Sequence, residues 1–471
     1  MPAAQERRKP SITMKKYPPG PHDGLLGIMF IGPMQAAPLT FAADVARKYG
    51  DFTFVRIGWV RLYFINRPEL IREVLATKVK CFRKLARQMR ALRKVEGNGL
   101  VASDGAPWAK HRPLVQGAFH ARHFAHYAQI IVEHTKRRMN GWSAGTALDV
   151  GAEMNQLALE IIAKLVFDVD WSDRARRLRD DMHIIRSSWQ REVSRIVKPP
   201  DWLPLPRIIR QRRALRSIDN LIWDMIRERR ASAVTKDDML SLMLTMAAHG
   251  SGGEPVSGRE IRDEAATLFV AGHDTTSAAL AWFWYLLARH PEVEQRVLAE
   301  VDAVLGDRTA TDEDFGRLKY LEMVVKETMR LYPAAGFLFG REVVEDVEIG
   351  GYTLRKGAWV FVSPYIVHRD PNNFKEPEKF DPERFAPGRV ESIPPYTYLP
   401  FGGGPRICVG NSMAMMEIVL LAATVLQRFR LALEQGQPEV ESELEVVLRP
   451  KGELRMRVLQ RQQQEIPVPV G

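Results

Sequence analysis

Apolar and polar residues follow different patterns in successive parts of the chain. From Pro68 to about Arg330, apolar residues recur every three or four positions, which predicts a mainly helical stretch. Before it, apolar and polar residues alternate in Asp51–Ile57 and Arg61–Ile65, on either side of Gly58, and this predicts a β-hairpin. After it, the pattern predicts short antiparallel strands at Val344–Ile349, Tyr352–Leu354 and Trp359–Val362.

The C-terminal part of the chain combines an irregular segment with regular elements. Residues Pro371–Pro405 hold many prolines and little periodicity, so we expect a long loop, which in a compact domain is usually functional. A helix from Asn411 to about Arg428 and strands at Glu443–Leu448 and Glu453–Leu459 follow. These elements predict a mainly α fold with small β-sheets (α+β), in which a large helical domain carries a smaller β-rich part.

The domain organisation follows from the same patterns, because no internal repeat divides the chain. We expect an N-terminal tail at residues 1–20, a single domain at residues 21–460 and a disordered C-terminal tail at residues 461–471. The apolar run Leu25–Ile31 is too short to cross a bilayer and is followed by Pro33. The sequence therefore predicts a cytoplasmic protein without a transmembrane segment.

Composition and charge exclude several classes of protein. Apolar residues make up 45% of the chain and charged residues 27%, which is typical of a globular protein. Two cysteines, Cys81 and Cys408, are too few for a disulfide scaffold or a four-cysteine zinc site. The net charge is +11, but the basic residues are spread widely, so we expect no nucleic-acid partner. Solvated helix faces explain most of the charge, and a docking face for an acidic electron-transfer protein is the alternative.

Cys408 lies in a glycine-rich loop directly before the helix that starts at Asn411. The loop reads Phe-Gly-Gly-Gly-Pro-Arg-Ile-Cys-Val-Gly from Phe401 to Gly410. Its glycines allow the backbone to approach a flat ligand, and a position near a helix N-terminus stabilises a thiolate. Arg406 supplies a cation suited to a propionate group. The alternative is a glycine-rich turn with an incidental cysteine.

This loop resembles the haem-binding loop of the cytochrome P-450 family, Phe-x-x-Gly-x-Arg-x-Cys-x-Gly, at every specified position. The resemblance implies the cytochrome P-450 fold, with Cys408 as the axial thiolate ligand of the iron of haem b. It also implies that the loop contacts the haem, through residues Phe401, Gly402, Arg406 and Gly410.

A second motif lies in the predicted helix Ile261–Arg289, which contains Ala-Gly-His-Asp-Thr-Thr from position 271. Glycine, aspartate and adjacent threonines are poor choices for a helix interior, so their presence favours a functional site. A threonine hydroxyl can bond a carbonyl one turn back and open the helix. The segment resembles the family's oxygen-activating helix. That resemblance makes Asp274 and Thr275 the acid–alcohol pair, places Ala271 and Gly272 beside the haem and gives His273 no direct role.

Two further groups of residues match the family. Glu327 and Arg330, three residues apart on a helix, together with Arg384 resemble its structural charge triad. Trp108 and Arg112, one helical turn apart, resemble its Trp-x-x-x-Arg helix and are candidates for binding a propionate. Arg341 is a further propionate candidate. The substrate pocket is expected to draw on Leu92–Ser103, Leu268, Phe269 and Ala334–Phe339.

The resemblance implies a monomeric haem-thiolate monooxygenase that uses O2 as co-substrate. NAD(P)H would act indirectly, through a separate reductase and a ferredoxin or flavodoxin. The expected substrate is a hydrophobic small molecule that is lipid-like or terpenoid and is hydroxylated or epoxidised. A peroxide-driven peroxygenase and a non-catalytic haem sensor or carrier are the alternatives. The pair Asp274 and Thr275 argues against both, because proton delivery to dioxygen is needed in neither.

Overall fold

The computed structural model describes residues 17–21, 27–170, 175–194, 202–232, 236–248 and 255–461. Most of the predicted N-terminal tail and residues 462–471 of the predicted C-terminal tail lie outside these ranges. Among the described residues, no helix is both long and apolar enough to cross a membrane.

Helices make up most of the described chain, as the sequence predicts. In chain order they are α1 (Ile31–Ala36), α2 (Pro38–Tyr49), α3 (Pro68–Arg72), α4 (Ala86–Glu96), α5 (Gly105–Ala118), α6 (Phe124–Met139), α7 (Val150–Phe167), α8 (Ala175–Ser194), α9 (Pro206–Ala231), α10 (Met239–Ala248), α11 (Gly258–Arg289), α12 (Pro291–Leu305), α13 (Asp312–Phe315), α14 (Lys319–Leu331), α15 (Pro364–Val367) and α16 (Asn411–Leu426).

The strands are short and form four small sheets. They are β1 (Phe52–Ile57), β2 (Val60–Ile65), β3 (Phe82–Lys84), β4 (Ala147–Asp149), β5 (Arg341–Val343), β6 (Val347–Ile349), β7 (Tyr352–Leu354), β8 (Trp359–Phe361), β9 (Phe429–Leu433), β10 (Ser442–Leu444), β11 (Leu448–Pro450) and β12 (Arg455–Gln460). The four sheets have the orders β1-β2-β8-β5-β3, β4-β12-β9, β6-β7 and β10-β11.

The predicted N-terminal hairpin is confirmed, but it is part of a larger sheet. β1 and β2 pair antiparallel from Phe52↔Ile65 to Ile57↔Val60. β2 then pairs with β8 in parallel, with Leu62 opposite Trp359. One sheet therefore joins strands almost 300 residues apart. Local alternation could predict each strand but not this pairing.

Two strand predictions were wrong. Glu443–Leu448 is not one strand, because β10 ends at Leu444 and β11 begins at Leu448, and the two pair antiparallel. The predicted strand Val344–Ile349 begins too early, because β5 ends at Val343 and β6 begins only at Val347. In both cases a tight turn continues the alternation of the flanking residues, so the period-2 pattern conceals the break. β3 and β4, each three residues long, lie inside the stretch predicted to be helical.

Helix α11 crosses the centre of the main core. It begins with a capping box, in which the Ser257 hydroxyl and the Glu260 carboxylate each bond the other residue's backbone N–H. It ends at Arg289, before Pro291 starts α12. From Thr276 to Leu287 every residue of the helix is buried, and Trp282 and Trp284 are among the largest fully buried side chains. This burial holds α11 rigidly, so that residues along it keep fixed positions.

Candidate active site

A cavity of about 920 Å³ lies between α11, α4 and the loop Phe401–Gly410. It is lined mainly by apolar side chains, and Cys408 and Thr275 both face it. Most of the predicted pocket is confirmed as lining, with contributions from Leu92, Leu100, Val101, Leu268, Ala334, Ala335, Phe337, Leu338 and Phe339. The prediction for Phe269 was wrong, because this residue does not line the cavity and its ring is buried in the core against Phe167.

The loop before α16 is folded tightly around Cys408. The Cys408 N–H donates to the Phe401 carbonyl oxygen at 3.0 Å, which closes the loop. Gly404 has a φ of +68°, and a Cβ at this position would lie 2.1 Å from the Leu75 carbonyl oxygen. Only glycine meets both conditions, since other residues rarely adopt this φ and all carry a Cβ. The glycines thus allow the loop to pack against the backbone beside α3.

The Cys408 thiol is exposed to the cavity, although protein surrounds it on its other sides. Burial raises its pKa, while the backbone N–H of Gly410 and the positive charge of Arg112 oppose this rise. These two groups stabilise the thiolate, as does the N-terminus of α16, which follows immediately. These surroundings therefore suit a thiolate that binds a metal ion and faces an apolar space.

Cationic side chains surround the same part of the cavity. Arg112 on α5 donates to the Ile407 carbonyl oxygen at 2.9 Å. Arg406 donates to Asp104 Oδ1 at 2.6 Å, and its guanidinium lies 4.0 Å from the centre of the Trp108 ring. Arg341 donates to the Phe339 carbonyl oxygen at 2.6 Å, and burial lowers its pKa to about 10. The structure thus brings the four predicted propionate-binding residues to one cavity.

On α11, Ala271, Gly272, Asp274 and Thr275 line the cavity. The Thr275 hydroxyl donates to the Ala271 carbonyl oxygen at 2.8 Å, so the expected hydrogen bond one turn back is present. A Cβ on Gly272 would lie 2.6 Å from Cδ1 of Ile162, which shows that glycine here also permits the close packing of α11 on α7. His273 is buried beside them and does not line the cavity.

The carboxylate of Asp274 is held by a residue that sequence reasoning missed. Arg186 on α8 donates to Asp274 Oδ1 at 3.0 Å, and its Nε lies 3.4 Å from Oε2 of Glu445. Glu445 also pairs with Arg449 at 2.8 Å. No local signal marks Arg186, because 88 residues separate it from Asp274. This network links Asp274 to α8 and to the turn between β10 and β11.

Glu327, Arg330 and Arg384 form a buried ionic network away from the cavity. Arg330 donates to both oxygens of Glu327, at 2.7 and 2.9 Å, and Arg384 donates to Oε1 at 3.3 Å. The Glu327 and Arg330 side chains are 0% exposed. The remaining guanidinium protons bond the carbonyl oxygens of His368, Lys375, Glu376 and Lys379. This network ties α14 to the irregular segment that precedes the Cys408 loop.

The described residues fit a haem by their chemistry. A thiol open to an apolar cavity supplies an iron ligand, and the glycine loop leaves room for a flat ring. Arg112, Arg341 and Arg406, with Trp108, supply hydrogen-bond donors suited to two carboxylates.

Comparisons with known proteins agree with this arrangement. The family model described as Cytochrome P450 matches residues 18–457. Cyclooctat-9-en-7-ol 5-monooxygenase of Streptomyces melanosporofaciens is 34% identical over 397 residues, which cover 84% of this chain and 85% of the relative. Pentalenene oxygenase of Streptomyces avermitilis is 29% identical, over 91% of this chain and 94% of the relative. The crystal structure of the cytochrome P450DA heme domain superposes with a TM-score of 0.84 at 26% identity, covering 95% of this chain and 98% of that one.

Proposed function

The chain belongs to the cytochrome P450 family of haem-thiolate monooxygenases, and we propose that it hydroxylates or epoxidises a hydrophobic terpenoid or lipid-like molecule. The observation that carries the proposal is that Cys408 and Thr275 line one largely apolar cavity. When bound, the haem would supply the activation of O2, and the protein would supply its ligand, the protons and the position of the substrate.

The residues around the cavity support distinct roles. Cys408 would hold the iron, while Arg112, Arg341 and Arg406 would hold the propionates. To do so, Arg406 would turn from Asp104, to which it now donates. Asp104 would then keep the Lys84 backbone N–H, which donates to its Oδ2 at 2.8 Å, as a hydrogen-bond partner.

Asp274 and Thr275 would deliver protons from α11 into the cavity. The Thr275 hydroxyl can pass on its own proton only if it is resupplied, and Asp274 is the adjacent carboxylate. Because Arg186 bonds Asp274 Oδ1, resupply requires the carboxylate to use its other oxygen or to leave Arg186. Water within the cavity would complete the path.

The proposed substrate class rests on the lining and on the relatives. Both relatives are named for reactions on unsaturated molecules, pentalenene and cyclooctat-9-en-7-ol, and these are terpenoids. Apolar side chains such as Leu268, Phe337 and Phe339 would bury a molecule of this kind. A ferredoxin or flavodoxin with its reductase would deliver electrons from NAD(P)H.

The haem assignment is tested by the absorption spectrum of the reduced protein with bound carbon monoxide. We expect the red-shifted Soret band of a thiolate ligand in the wild type and in Cys81→Ser, and its loss in Cys408→Ser. Retention of the band in Cys408→Ser would show that another residue binds the iron. Cys81 is a matched control because it is the other cysteine of the chain and does not line the cavity.

Turnover separates the proposed monooxygenase from its alternatives. We expect product with ferredoxin, reductase and NAD(P)H, and little product with hydrogen peroxide alone. Efficient peroxide turnover would instead favour a peroxygenase. Ligand-induced spectral changes without product under either condition would favour a sensor or carrier.

A further inference from the structure

Three side chains on α4 and α8 carry hydrogen-bond donors for which the described residues supply no acceptor. They belong to Arg87 and Gln88 on α4 and to Trp189 on α8, and all three residues line the cavity. Arg87 has no hydrogen bond or ion pair with any residue that the structure describes. The buried Trp189 Nε1–H likewise has no acceptor among them. The amide oxygen of Gln88 accepts the Gly340 N–H at 2.8 Å, which leaves its NH2 group without an assigned partner.

Arg87 differs in this respect from the other cations on the wall. The remaining four each donate to an acceptor of the protein, namely Lys84 to carbonyl oxygens of residues 100, 101 and 103, Arg112 to Ile407, Arg341 to Phe339 and Arg406 to Asp104. The Arg87 side chain is partly buried at the cavity wall, and a ligand that replaced its remaining water would have to supply an acceptor in exchange. Arg87 is therefore the cation of the described wall that remains available to a ligand.

The surroundings of Arg87 favour an anionic ligand over a protein partner. Glu192 on α8 attracts Arg87, but it is already bonded to Lys94 at 2.7 Å. Arg90, three residues further along α4, adds a second positive charge nearby. The positive potential between α4 and α8 is thus only partly neutralised.

We infer that Arg87, with Gln88 and Trp189 on the same cavity wall, forms a subsite for the carboxylate of an amphipathic acid whose hydrocarbon body occupies the apolar cavity. This inference deepens the proposed function, on which it rests. A guanidinium binds a carboxylate with two parallel hydrogen bonds, and a neighbouring amide N–H can add a third. The natural substrate is accordingly a lipid or terpenoid acid rather than a pure hydrocarbon.

The test compares each acid with its own methyl ester, which has the same body but no charge. Isothermal titration calorimetry of the haem-loaded protein at neutral pH is carried out with dodecanoic and abietic acids and their esters. We expect the wild type to bind at least one acid about tenfold more tightly than its ester, a difference of about 1.4 kcal/mol. In Arg87→Gln this preference should vanish, and in Arg87→Lys it should be partly kept.

Arg90→Gln provides the matched control, because it removes a positive charge from the same helix at an exposed position that does not line the cavity. It should retain the preference for the acid. The inference is overturned if Arg87→Gln keeps that preference, or if the wild type binds neither acid more tightly than its ester. The thiolate Soret band, recorded for every variant, monitors folding and tests the haem assignment independently of the carboxylate subsite.

Discussion

The buried network around Glu327 leads to the sharpest prediction about stability. The substitution Glu327→Gln keeps the shape of the side chain but removes its negative charge. Arg330, which is 0% exposed, and Arg384, which is 9% exposed, then lose their shared counter-ion. Removing one partner of a buried ion pair costs about 3–5 kcal/mol, because the other charge remains buried and uncompensated.

The expected loss lies at the upper end of this range for two reasons. Two guanidinium groups depend on the one carboxylate, and the Asp381 N–H also donates to it, at 2.9 Å. The carbonyl oxygens that Arg330 and Arg384 also bond supply dipoles but no net negative charge. The double variant Glu327→Gln/Arg330→Met should regain part of the loss, since it removes one of the two stranded charges.

Urea unfolding, followed by far-UV circular dichroism, measures these differences. Glu383→Gln is the control, because Glu383 lies close to Arg384 in sequence but pairs with Arg296 at an exposed position, at 2.6 Å. It should change the free energy of unfolding by less than about 1 kcal/mol. If Glu327→Gln changes it as little as Glu383→Gln does, the reasoning about the buried charges is refuted.

Three further predictions concern the active site and its surroundings. Thr275→Ala should lower the product formed per NAD(P)H consumed by about a hundredfold or more, because proton delivery is lost, and an unchanged ratio would contradict that role. Gly404→Ala should reduce haem content and thermal stability, owing to the clash with a backbone carbonyl, whereas Gly452→Ala, with an equally positive φ but open space, should cost only about 1–2 kcal/mol. His111 has its pKa raised chiefly by Glu264, 2.7 Å away, so its charged form stabilises the fold. That contribution is complete below the unfolded pKa of about 6.5 and is lost as pH rises through the higher folded pKa. In His111→Gln the free energy of unfolding should therefore depend less on pH within this window.

Features encoded within a few neighbouring residues could be predicted from the sequence. The ten residues from Phe401 to Gly410 carry the thiol, the glycines and Arg406, and their chemistry does not depend on distant parts of the chain. The hydrogen bond from Thr275 to Ala271 is likewise local, because any helix places these residues one turn apart. Helical periodicity predicted α11 to within three residues of its start.

Features that join distant segments were decided by the tertiary structure. Arg186 meets Asp274 across 88 residues, and Asp104 meets Arg406 across 302. Neither contact leaves a local pattern, since each depends on how whole helices pack. The Arg87 guanidinium, which has no acceptor among the described residues, is a finding of the same kind, because it depends on how α4 packs against its neighbours. The sequence alone thus determined the proposed ligand of the iron, whereas the packing of helices determined which cations of the cavity wall have a protein acceptor.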